Sequence, residues 1–360
     1  MNASRSSKPG LSDAEFDLLR DSVREFLARH WPADQAPERS GNTQAVAALW
    51  RALAGQGLTS LGAPTGEAGL REIMLVFEEL GRASCPAPLL GAVAANLALG
   101  AQQSNTARAL LEDIHQGTAL IALALGPLDG DPAAGRVETR GDALSGKVSF
   151  VEGGQSATHF LIFTDTGVAV VASGAPGLTM QVTPGLAVPP FCELGFENTP
   201  AVQLTIPRKA LADIALVARL GCVGRALGAA ERAFQLAVDH AKIRKQFGQL
   251  IGQFQAVQHK LANGLISLDG ARLTLEAAAA ARDNDNPDWR IFAASALAFA
   301  GPALRAVSIE THRALGAIGY AEEHEAPRHF RRVHADLARF GGAPRARAEL
   351  ADFMLGPVAP

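Results

Sequence analysis

The sequence predicts an α+β protein in three consecutive zones. They are an N-terminal all-α domain (1–116), a small antiparallel β-domain (117–209) and a C-terminal four-helix-bundle-like α domain (210–360). Three observations carry this. Apolar residues recur at helical spacing from Ser12 to about Gln116. Short β-rich runs punctuated by Gly, Pro and Asp then continue to Pro207. Long helical periodicity returns from about Ala210.

Ser12 is a plausible N-cap with Glu15 three residues on, and Phe16, Leu19, Val23 and Leu27 follow at helical spacing. A second helix carries Val46, Leu49, Trp50 and Leu53, and a third spans 70–82. Strands are expected over 119–125, 144–151, 159–164, 167–172 and 202–206, forming a barrel or sandwich. Two long helices follow near 216–245 and 254–282. A turn-rich stretch at 283–287 precedes a helix over 289–315 and a last one near 343–355.

The chain has 360 residues, with 33 Lys+Arg against 36 Asp+Glu. Apolar residues make up 48% and charged residues 19%, which excludes disorder for most of the chain. A near-neutral balance gives no footing for a nucleic-acid partner. Cys85, Cys192 and Cys222 lie far apart, which matches neither a disulfide framework nor a zinc site and suits a reducing cytoplasm. The polar first ten residues lack a signal-peptide core. The apolar run 291–304 is too short to cross a bilayer and reads as a buried helix, so no membrane is expected.

Gly221, Gly224 and Gly228 could suggest a phosphate loop, but no strand leads into them, and close helix packing is the better reading. Glu322, Glu323, His324 and Glu325 are adjacent and cannot all face one point. His324, His329 and His334 do not share a helical face, so no metal is assigned. Neither a Gly-x-Ser-x-Gly elbow nor HExxH is present. The informative stretch runs from Arg244 to Ala262, RKQFGQLIGQFQAVQHKLA. It ends one helix, turns at Gly248 and starts another, which places a guanidinium beside a helix N-terminus, a ready phosphate site.

That stretch resembles the signature of the acyl-CoA dehydrogenase family of flavoenzymes. Phe77–Arg82 (FEELGR), Leu144-Ser-Gly146, and Leu315–Tyr320 (LGAIGY) with Glu323, His324, Arg331 and Arg332 resemble further family elements. The short form resembles the subunits of heteromeric steroid or other bulky acyl-CoA side-chain dehydrogenases, which assemble from two unlike chains. The resemblance implies FAD as cofactor, an acyl-CoA substrate, a homologous subunit and an electron-transfer flavoprotein as partners, and a cytoplasmic heterotetramer. It also implies α,β-dehydrogenation. A glutamate takes the α-proton in a dry site while the β-hydride passes to FAD.

Several positions depart from the family. Gly341, in Phe340-Gly-Gly-Ala343, stands where one form of the catalytic glutamate belongs, and Ala218 stands at the other known base position. Catalytic residues are therefore assigned to none. The nearest carboxylates, Asp213, Asp336 and Glu349, are out of register. The flavin-ring strand Thr-Glu-Pro is matched by Leu125-Gly126-Pro127, Gly-Ser-Asp by Gly130-Asp131, and Trp-Ile-Thr by Phe150-Val151-Glu152. A carboxylate at Glu152 would oppose negative charge on a reduced ring unless it points away. By resemblance, Arg244, Phe247 and Gln255 reach a neighbouring subunit's FAD, and Arg313 with Gly316 belongs to the same contact set. Three readings stay open. They are a subunit that completes a partner's site, a self-sufficient dehydrogenase with a relocated base (Asp336, or remotely Glu152), and a non-catalytic interaction protein.

Overall fold

The computed structural model describes residues 11–126 and 135–356. Six helices come first: α1 (Asp13–His30), α2 (Ala36–Ser40), α3 (Thr43–Gly55), α4 (Leu70–Arg82), α5 (Leu89–Leu99) and α6 (Asn105–Gln116). The N-cap expected at Ser12 forms. The Ser12 N–H donates to Glu15 at 2.8 Å, and the Glu15 N–H donates back to the Ser12 hydroxyl at 3.4 Å. Helix α5 (LLGAVAANLAL) is buried nearly all round and has no polar face, so periodicity could not announce it.

Eight strands follow: β1 (Ile121–Ala124), β2 (Gly135–Arg140), β3 (Ala143–Val151), β4 (His159–Phe163), β5 (Gly167–Ala172), β6 (Leu178–Thr183), β7 (Phe191–Pro200) and β8 (Val202–Thr205). They form two four-stranded sheets, ordered β2-β3-β7-β6 and β1-β4-β5-β8. The first is wholly antiparallel. In the second, β1 runs parallel to β4, pairing Ile121 with His159 and Ala124 with Ile162. Sequence reading missed this because a parallel partner is reached by a long connection, and local alternation carries no direction.

The C-terminal part comprises α7 (Arg208–Ile243), a two-residue-strand hairpin of β9 (Lys245–Gln246) and β10 (Gln249–Leu250), α8 (Gln255–Asp283), α9 (Trp289–Leu315), α10 (Ala326–Ala338) and α11 (Gly342–Leu355). Helix α7 crosses α4 with backbones nearly touching. A Cβ on Gly228 would lie 1.8 Å from the Glu78 carbonyl oxygen, and one on Gly81 would lie 1.9 Å from that of Arg225. Gly221 faces Leu90 and Phe77 in the same way, so these glycines serve helix packing. The expectation that the 291–304 run is too short for a bilayer is corrected in length. Helix α9 and the turn after it are long and apolar enough by length and composition. The helix nonetheless runs through the core, with Ala293, Leu297, Ala300 and Leu304 buried. One continuous core links all three zones, from Trp50 and Phe77 through Phe160 to Leu220 and Leu304.

Candidate functional site

The residues expected to reach a neighbour's cofactor gather at one end of the helical bundle. Helix α7 stops at Arg244, whose N–H still bonds the His240 carbonyl. The Arg244 carbonyl then accepts from Ile251 at 2.8 Å, closing the base of the hairpin. Phe247 (φ 52°) and Gly248 (φ 80°) form its two-residue tip, a turn that needs positive φ at both positions. A phenylalanine held there is strained, and its ring is 92% exposed. It meets Phe254 edge-on at 6.3 Å, and Gln255 opens the 29-residue helix α8, whose first N–H groups point the positive end of its dipole outward. The Arg244 guanidinium is exposed and enters no ion pair among the described residues.

Arg313 and Gly316 join the same end. The small cluster of Ala237, Leu315 and Ala326, with Leu261 and Ala314 packed on it, binds the end of α7 to α8, α9 and α10. Gly316 (φ 64°, ψ −140°) ends α9 in a conformation open essentially to glycine alone. Arg313 is already engaged by Glu310 at 2.5 Å, and Glu310 also takes Lys260 of α8 at 2.8 Å. Ile243, Ile318 and Tyr320 are exposed around this end.

The two positions where the resemblance places a base are occupied by Gly341 and Ala218. Gly341 sits at φ 78° between Phe340 (φ 57°) and Gly342 (φ 51°), three consecutive left-handed residues. Ala218 is buried within α7. The three nearby carboxylates are each taken by arginine. Asp213 pairs with Arg290 at 2.6 Å. Glu349 pairs with Arg219 at 2.8 Å and with Arg345 at 2.9 Å. Asp336 pairs with Arg225 at 2.6 and 3.1 Å.

Glu152, just past the end of β3, is buried in a ring of guanidiniums that pair its negative charge. Arg225 donates to its two oxygens at 2.8 and 2.9 Å, Arg332 at 2.9 Å and Arg339 at 2.8 Å. Three arginines therefore face two carboxylates, Glu152 and Asp336, and every member is at least nine-tenths buried. Burial alone would push the Glu152 carboxyl up. The guanidiniums of Arg225, Arg339 and Arg332 outweigh it and hold the group well below the ordinary carboxylate range. Arg225 is held well above its usual value, since Asp336 and Glu152 outweigh its own burial. Arg332 also donates to the Val188 carbonyl at 3.1 Å, so the cluster ties β3, α7, α10 and the loop before β7. Of the other ring-contact matches, Leu125 is buried and Gly126 takes φ 50°, while Pro127, Gly130 and Asp131 lie outside the described residues.

Sequence reasoning flagged Glu152 and named Arg332 in another element, but missed Arg225 and Arg339 and the pairing of all three with Glu152. One signal was available. Arg225 is the single charge between Gly221 and Gly228 in the apolar middle of α7, and an arginine there needs a buried counter-charge.

Helical, sheet and helical zones in this order, with an arginine-led hairpin at the end of the C-terminal bundle, agree with the acyl-CoA dehydrogenase-like fold that the resemblance implies. The chain belongs to the acyl-CoA dehydrogenase family, whose members are oxidoreductases acting on CH–CH groups. Its residues 13–107 match the family's N-terminal domain and residues 211–347 its C-terminal domain. It is similar to the acyl-CoA dehydrogenase IpdE2 of Mycobacterium tuberculosis, 33% identical over 329 residues (89% of this chain, 91% of that one). Among solved structures it resembles a variant of the Tcur3481–Tcur3483 steroid acyl-CoA dehydrogenase, with a TM-score of 0.83 and 27% identity over 95% of this chain and 98% of that one. The ChsE4–ChsE5 complex from M. tuberculosis shares the fold, with a TM-score of 0.83 and 24% identity over 97% and 99% of the two chains. Members of the family bind FAD.

Proposed function

We propose that this chain is a non-catalytic subunit of a heteromeric FAD-dependent acyl-CoA dehydrogenase that acts on a bulky, steroid-type acyl-CoA in the cytoplasm. One observation carries the reading. The exposed hairpin end carrying Arg244 and Phe247 is formed, while Asp213, Asp336 and Glu349, the carboxylates nearest in sequence to Ala218 and Gly341, are each held in an ion pair. The relocated-base alternative is less well supported, because a proton acceptor must reach the substrate, and Asp336 and Glu152, its two candidates, are both buried against Arg225.

The residues present fit the adenine and pyrophosphate end of FAD. Arg244 supplies an unpaired cation, and the start of α8 supplies backbone donors beside it. Phe247 supplies an apolar face, and Gln255 can hydrogen-bond at the helix start. Bound FAD supplies the hydride acceptor. The base and the ring contacts belong to a homologous partner, and an electron-transfer flavoprotein reoxidises the complex. The heteromeric and steroid-directed names of the ChsE4–ChsE5 and Tcur3481–Tcur3483 proteins support this assignment.

The test is Arg244→Ala in the complex copurified through a tag on this chain. A charge-assisted contact contributes about 1.5–3 kcal/mol, so flavin affinity should fall roughly 10- to 150-fold. Flavin content unchanged after dilution and gel filtration would remove the trans-donor role.

A further inference from the structure

The seam between the β-domain and helices α7 and α10 is where the resemblance places a flavin ring, against residues 150–152. A ring lying between two walls holds them about 7 Å apart, twice the carbon contact distance. Here the seam is bridged instead. The Glu152 carboxylate, from the sheet side, touches Arg225 of α7 at 2.8 Å, Arg332 of α10 at 2.9 Å and Arg339 just beyond α10 at 2.8 Å. Asp336 closes the far side of Arg225 at 2.6 Å. Arg339 is further clamped over the rings of Phe340 at 4.4 Å and Phe191 at 5.2 Å. Residues 150–152 line none of the cavities of about 440, 240 and 220 Å³, although the first borders the segment beside Arg339, and the cleft that reaches Asp336 and Arg339 themselves is only about 20 Å³. The bridging groups are buried charges, so parting them to admit a ring would strip each of its partners in a medium that solvates ions poorly.

We propose that the Glu152–Arg225–Asp336–Arg332–Arg339 cluster is a plug. It fills this chain's own ring site with a charge-paired weld, so the chain lends contacts to a partner's flavin and houses none itself. A complex of unlike subunits then carries one flavin per pair, and this chain's own site takes no isoalloxazine. The inference rests on the assignment above but fails separately from it.

Two measurements test it. Riboflavin, which presents the ring without the adenine end, is titrated into the full chain and followed by flavin fluorescence up to about 100 µM, where weak binding still registers. A self-sufficient family member stripped of FAD is the positive control. The copurified complex is then analysed by native mass spectrometry and flavin absorbance. No saturable riboflavin signal, with one flavin per two unlike chains, is the expected result. Saturable quenching by the isolated chain, or one flavin on every chain, overturns the plug whatever Arg244→Ala does. Conversely, flavin retention that ignores Arg244→Ala sinks the trans-donor role and leaves the riboflavin result to stand on its own.

Discussion

Glu152→Gln keeps the shape of the side chain and removes one charge from the centre of the cluster. In the native protein the carboxylate accepts four hydrogen bonds from three arginines. The variant leaves Arg225, Arg332 and Arg339 facing Asp336 alone. Breaking a buried pair from one side costs about 3–5 kcal/mol. Unfolding entropy is about 2.1 cal/mol/K per residue, and the chain has 360 residues, so Tm should fall by roughly 4–7 °C at pH 7. Differential scanning calorimetry of the full chain reads this directly. The pH dependence supplies a second check. The folded pKa of Glu152 lies below its ordinary value of 4.5, so its stabilisation is fully present above that pH and is lost as the pH falls through the native value. The gap between wild type and variant should therefore be constant near neutrality and shrink below about pH 4.5. A Tm within about 1 °C of wild type, or a gap that widens in acid, would show that the cluster is no weld.

Other consequences follow from the same geometry. Gly341→Glu restores the residue type of one base position but at φ 78°, with its Cβ 2.8 Å from the Arg345 side chain. It should destabilise the chain by about 1–2 kcal/mol and give no bleaching of flavin by acyl-CoA in the chain alone, as absorbance at the flavin band would reveal. Gly228→Ala places a methyl 1.8 Å from the Glu78 carbonyl oxygen and must force α4 off α7. A loss of about 1–3 kcal/mol or more is expected in urea denaturation, and a change under about 0.5 kcal/mol would contradict the close crossing.

The elements legible in the sequence share one property, a local signal strong enough to stand alone. The ends of α4 and α9 fell where the periodicity placed them, and Ser12 capped α1 through Glu15. Strands β2, β6 and β7 were not singled out: β2 and β6 are mostly exposed, β6 although Leu178, Met180 and Val182 alternate with polar residues, and β7 buries Cys192, Leu194 and Phe196 in alternation between glycine- and proline-rich neighbours that read as loop. The turn at Gly248 and the start of α8 could be read because both are written within ten residues, whereas the two-residue strands that make the turn a hairpin carry no pattern of their own. The buried cluster could not. Arg225 meets Glu152 from 73 residues away and Asp336 from 111, and only the completed fold brings them together. The resemblance places Glu152 where a threonine is expected, but nothing in the sequence shows which cations will enclose the carboxylate.

The most direct test of the half-site reading is the flavin absorbance per mole of this chain purified without any partner. A colourless protein that gains flavin only in complex with an unlike family member is the expected outcome. A yellow protein carrying about one FAD per chain that bleaches on adding acyl-CoA would contradict it and require a working base among carboxylates that the structure shows paired.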